Sequence, residues 1–154
     1  MRIIFLTTKL NFVSGGGSNF DRHNKIMALK ALGCDVKIIT AFSKNNRFKD
    51  KPAYTVYEEN IDYNNFFQFH RAVRNILKKY EAAADVFYVD GHIFLLGAGW
   101  YRFGGGKLTL AHFDNYSPTV FNMGFSRYRQ GKLLLQRYFE KLFFLKYYNA
   151  LDLF

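Results

Sequence analysis

His112 has the side chain in this sequence best placed to do chemistry, because it follows the apolar run Leu108 to Ala111 directly. A run of that kind reads as an inner strand of a parallel sheet, and ligands of open α/β sheets collect beyond the carboxyl ends of such strands. An imidazole there can donate to a hydroxyl or a phosphate oxygen, or accept a proton. The competing role is structural, a histidine satisfied by neighbouring backbone. Asp114, two residues on, is either a hydroxyl acceptor or a turn residue, and Asp90 and His92 stand in the same relation to the run Val86 to Val89. His23 and His70 fall inside helical patterns and read as structural.

The other feature with chemical potential is the triplet Gly15, Gly16 and Gly17, which follows the apolar run Ile3 to Leu6 and precedes a helix start at Ser18 or Asn19. Without Cβ atoms these residues let backbone N–H groups approach a ligand closely, and a capped helix N-terminus beside them suits a phosphate or another anion. A plain surface loop is the alternative. The dinucleotide fingerprint GxGxxG is not met, since Phe20 stands three residues after Gly17. The phosphate loop GxxxxGK[ST] fails too, because Leu108 follows Lys107 and Tyr101 replaces the first glycine. No HxxxH, HExxH or clustered carboxylate set has metal-ligand spacing, so no metal and no resident cofactor is expected. Hydrolytic triads likewise have no supporting motif.

The elements that must position these residues alternate between strand and helix. Ile3 to Leu6 is the first strand, a helix follows from Asn19 to Leu32, and Gly33 supplies its C′ residue before a second strand from Val36 to Thr40. Ser43 to Pro52 reads as loop and Tyr54 to Tyr57 as a short third strand. From about Asn65 to Tyr80 the residues Phe66, Phe69, Val73, Ile76 and Leu77 mark one helical face. Val86 to Val89 forms the fourth strand, and His92 to Phe103 a helix weakened by Gly97 and Gly99. Leu108 to Ala111 is the fifth strand. A last helix from about Arg129 to Tyr148 carries Leu134, Tyr138, Leu142 and Leu145 as its core stripe, with Phe144 and Tyr148 on the other side, before Ala150 to Phe154 opens a sixth strand. This order predicts an α/β fold: a Rossmann-like, mostly parallel sheet with helices on both faces.

Composition sets the limits. The 154 residues are 49% hydrophobic, enough for one domain with a buried core, and the apolar runs fall short of the roughly 18 residues a membrane-spanning helix needs. No secretory signal is legible, so the chain reads as cytoplasmic. Cys34 is the single cysteine and reads as a small buried residue. A net charge of +10 favours an anionic partner, but the basic residues are scattered, which argues against nucleic acid and leaves open peripheral membrane contact, or a non-catalytic α/β binding module that associates with anionic membrane or a partner protein.

Taken in order, these residues resemble the N-terminal domain of GT-B-fold glycosyltransferases, family-4-like, over nearly the whole chain. The matching features are the first strand running into Gly15 to Gly17, the Asp85-Val86 strand opening with His92 after it, and Thr109 to Asp114, in which Phe113 interrupts the family's Thr-x-His-Asp-like element. Glu140 among leucines and Asp152 at a strand opening also fit. The resemblance implies that residues 1–154 are the acceptor-side domain of a retaining enzyme that moves a sugar from a nucleotide-sugar to a glycan or glycolipid. It implies a catalytic role for His112 and substrate contacts at Gly15, Gly16, Gly17, Asp90, His92 and Asp114. The family's second domain, which holds the nucleotide-sugar and an E-x₇-E element, has no counterpart here. A C-terminal GT-B domain is therefore expected in cis or in trans, and the chain alone is expected to be inactive.

Overall fold

A computed structural model describes residues 1–10, 17–47, 54–62, 65–112, 138 and 144–153. It contains β1 (Arg2–Thr7), α1 (Gly17–Ala31), β2 (Asp35–Thr40), β3 (Val56–Glu58), α2 (Phe66–Lys79), β4 (Val86–Asp90), α3 (Leu95–Phe103), β5 (Thr109–His112) and β6 (Asp152–Leu153). These strands form one six-stranded sheet in the order β3-β2-β1-β4-β5-β6, with every neighbouring pair parallel.

Two apolar layers sandwich the sheet, and β1 supplies both. Ile4 and Leu6 face Phe69, Val73 and Leu77 of α2 and Leu95, Ala98 and Tyr101 of α3. Ile3 and Phe5 face the opposite way, toward Ile26 of α1. Strands buried on both faces carry unbroken apolar runs, which is why β1, β2 and β4 stand out in the sequence. β3 instead lies at the sheet's edge and is half-exposed, so its weak pattern was expected over Tyr54 to Tyr57 but forms two residues later. At the amino edge Asp85 accepts hydrogen bonds from the Arg2 backbone (2.8 Å) and from Arg2 Nη2 (2.6 Å), joining the starts of β1 and β4. The Asp85-Val86 opening is thus a clamp on the edge opposite the strand carboxyl ends.

The helices are set by caps and by close packing. Asn65 caps α2 by accepting from the Gln68 N–H at 3.2 Å, and α1 ends in a turn where Gly33 takes φ 80°. Ser18 and Asn19, expected as caps, lie inside α1, whose first residue is Gly17. Gly97 and Gly99, which lower helix propensity, are where α3 meets its neighbours. A Cβ at Gly97 would stand 2.7 Å from the His70 carbonyl oxygen, and one at Gly99 would strike the Tyr147 carbonyl oxygen. Cys34 is half-buried rather than buried.

The last helix departs most from expectation. Residue 138 and residues 144–148 are helical, and the remainder of that helix, including Leu134 and Leu142, lies outside the described residues. Tyr138 and Leu145, expected in the core stripe, are exposed, whereas Tyr148 packs on the main core and Phe144 meets Phe66. Apolar residues occupy both sides of this helix, so periodicity alone did not decide which side turns inward.

His70 is buried among Phe66 and Phe69, with ring centroids at 4.4 and 5.2 Å, and burial pushes its imidazole down to about 4. The folded protein therefore holds His70 neutral while the unfolded chain takes up a proton near its ordinary value, about 6.5. Stability is complete above that value and falls as pH drops toward 4, by up to about 2–3 kcal/mol from this group. His70→Leu is expected to flatten that part of the profile, measured as the difference in urea midpoint between variant and parent from pH 7 to pH 4. Parallel profiles would remove His70 as the cause.

Candidate functional site

Every inner strand ends in a polar residue at the carboxyl edge. Register places Thr7 beside Thr40, Thr40 beside Glu58, and Asp90 beside His112. The order of the sheet reverses between β1 and β4, and in doubly wound folds the crevice at that reversal is where ligands bind. Here the crevice is built from Thr7 and Asp90. Both are buried, at 0% and 5% exposure, so their polar atoms must be satisfied within the protein.

They are satisfied together. Thr7 Oγ1 donates to Asp90 Oδ2 at 3.3 Å, and the same oxygen accepts from Nε of Arg22, which reaches over from α1. The side chains of Arg22 and Asp90 are only 15% and 6% exposed. A guanidinium presents donors in a rigid plane, so anchoring Nε on a buried carboxylate fixes the plane of the whole group beside the crevice. The combination is suited to orienting an anion or a polyhydroxylated ligand. Gly91 then turns the chain out of β4 at φ 130°, a backbone conformation that side chains disfavour.

A second set of bonds holds the other half of the edge. Asn46 donates to Thr40 Oγ1 and to Glu58 Oε1, each at 2.9 Å, while its Oδ1 accepts from the Leu10 N–H at 3.0 Å. One side chain thereby joins the segment leaving β1 to the ends of β2 and β3.

Of the residues singled out in the sequence, Asp90 and His112 are brought together as the last residues of adjacent strands. His112 closes its strand as expected, whereas Asp90, expected just past the fourth strand, completes it. His112 is half-buried. His92 opens a short 3-10 turn before α3, and Gly17 begins α1. Gly15, Gly16 and Asp114 lie outside the described residues. His23 sits within α1 with Nδ1 3.5 Å from the Tyr54 hydroxyl, in the structural setting expected for it. Arg22, Thr7 and Asn46 were not singled out. The threonine carried a signal, a polar residue closing an apolar run, but Arg22 and Asn46 gain their roles from partners distant in sequence. Among the described residues, no three His, Cys, Asp or Glu side chains are grouped to hold a metal ion.

Strand order and two-sided burial define a Rossmann-like α/β domain, a parallel sheet with helices on both faces. Its fold is similar to that of sucrose-phosphate synthase from Thermosynechococcus elongatus, with a TM-score of 0.53 and 13% identity over 88% of this chain and 39% of that one. The present chain thus spans about two fifths of that protein's length, and the likeness is one of fold. No protein-family model and no curated protein sequence matches this chain.

Proposed function

We propose that this chain is the acceptor-side domain of a retaining glycosyltransferase, which moves a sugar from a nucleotide-sugar to a glycan or glycolipid once a second GT-B domain, in cis or in trans, completes the cleft. The observation that carries this reading is the Arg22–Asp90–Thr7 cluster at the strand-order reversal, with His112 in register beside it. In this reading Asp90 holds Arg22 in place, and His112 contacts the transferring sugar or its phosphate. Gly15, Gly16 and Gly17 bring backbone N–H groups to the ligand, and His92 and Asp114 contribute at the strand ends. The fold of the structural neighbour supports the transferase class. Nucleic acid is not part of the proposal, and no metal is required by it.

Two measurements test the proposal. With a panel of nucleotide-sugars and acceptors, the purified chain is expected to give no turnover by itself, and transfer is expected when the second domain is supplied. Robust transfer by the chain alone would overturn the half-enzyme reading. In the completed enzyme His112→Ala is expected to lower kcat/KM about tenfold to a hundredfold, as loss of a charged hydrogen bond does, with little change in Tm. An unaltered kcat/KM would remove His112 from the site.

A further inference from the structure

The segment leaving β3 and the flank of α2 enclose a groove of about 390 Å³, lined by residues of both. That volume falls within the range of small-molecule sites, about 300–1,000 Å³. Backbone bonds hold one wall. The Glu59 N–H donates to the Thr40 carbonyl at 2.9 Å and the Ile61 N–H to the Ala41 carbonyl at 2.8 Å, while Phe42 and Asn60 pair as an antiparallel bridge. The other wall is one stripe of the helix, since Asn65, Gln68, Ala72 and Asn75 recur at helical spacing. Glu59 Oε1 accepts from Lys79 Nζ at 2.6 Å and from the Tyr80 hydroxyl at 2.7 Å, which ties the segment to the end of α2. The groove is thus preformed.

Its lining decides what fits. Asn60, Asn65, Gln68 and Asn75 each present a side-chain amide that donates and accepts at once, and Glu59 and Asp62 add carboxylate acceptors. A sugar hydroxyl is likewise both donor and acceptor. Ile61 and Ile76, each 7% exposed, give an apolar surface between these polar groups, against which the C–H face of a pyranose ring can rest. Charge excludes the other candidates. Although the chain carries a net charge of +10, no lysine, arginine or histidine is among the described residues that line this groove, so a phosphate or carboxylate finds no counter-charge there. A metal ion is not provided for either, because no three His, Cys, Asp or Glu side chains are grouped to hold one among the described residues.

We propose that this groove holds an uncharged saccharide unit at a site separate from the crevice, with Gln68 and Asn75 bonding its hydroxyls from α2 and Asn60 bonding them from the opposite wall. β2 and β1 stand between β3 and the strand-order reversal, so the unit held here is not the one that reacts. The inference rests on the transferase reading for the presence of a glycan, and it adds a preference: an acceptor neutral at this distance from the transfer point is favoured over an anionic one.

The test is titration of the isotope-labelled chain with maltotriose, with cellotriose and with sialyllactose, followed through backbone amide resonances. At least one neutral trisaccharide is expected to bind in the millimolar range and to shift the amides of residues 59–62 and 65–76, with sialyllactose binding more weakly. Gln68→Ala and Asn75→Ala are each expected to weaken binding about fivefold, as loss of one hydrogen bond does. Both residues are exposed and alanine favours helix, so both variants should melt at or above the parent. No shift at these residues with either neutral sugar would overturn the inference, as would tighter binding of sialyllactose. Binding lost in His112→Ala but kept in Gln68→Ala and Asn75→Ala would put the sugar at the strand ends, overturning the groove and leaving the transferase reading intact. Groove binding retained in a completed enzyme that transfers no sugar would remove the transferase reading and leave the groove as a saccharide site.

Discussion

Gly97→Val is expected to remove about 3–5 kcal/mol of folding stability, a large share of what a domain of this size possesses. The reason is the contact between α2 and α3. A Cβ at position 97 would lie 2.7 Å from the His70 carbonyl oxygen and 2.7 Å from Val73 Cβ, and neither can swing aside as a flexible side-chain end does. The helices must separate, opening the layer that Phe69, Val73, Leu95 and Ala98 fill against the sheet. Alanine is intrinsically the better helix former by about 1 kcal/mol, so Gly97→Ala pits propensity against packing and should lose less than valine does. Gly104→Ala is the control, because its Cβ would meet nothing nearer than 3.4 Å. Urea unfolding of the three variants should rank them Gly104→Ala, Gly97→Ala, Gly97→Val in falling midpoint. A valine variant with the parental midpoint would show that α2 and α3 do not approach this closely.

Removing the carboxylate at the strand-order reversal should be nearly as damaging. Asp90→Ala removes the buried carboxylate to which Arg22 Nε donates and deprives the Thr7 hydroxyl of the same acceptor. Breaking one side of a buried pair costs about 3–5 kcal/mol, mostly from the charge left behind. Asp90→Ala combined with Arg22→Leu should therefore be less harmful than the sum of the two single changes, with a coupling of about 2 kcal/mol or more. Additive effects in the unfolding midpoints would mean that the two side chains do not act as a pair.

The fold was legible where burial leaves no choice in the sequence. β1, β2 and β4 are covered on both faces, so their residues form runs that few other structures would tolerate. β3 has only the sheet's edge, and its Val-Tyr-Glu pattern gives no such constraint. The glycines of α3 illustrate a different failure: read alone, Gly97 and Gly99 weaken a helix, but their cost is offset by how closely the neighbouring segments then pack. The site divided along similar lines. Asp90 and His112 announce themselves as polar residues closing apolar strands. Arg22 does not, because its partner is 68 residues away and only the crossing of α1 over the end of β4 joins them. Asn46 sits within a polar loop where nothing in its neighbours marks it.

The position of β1 at the centre of the sheet also bears on how the chain emerges from the ribosome. One of its partners, β2, is complete at Thr40, but the other, β4, is not complete until Asp90. At a synthesis rate of about 5–20 residues per second, the nascent chain spends roughly 3–10 s with one flank of its most apolar strand unpaired. An open flank of that kind is a template for pairing with other chains. That flank stays open until the fourth strand arrives and pairs with it.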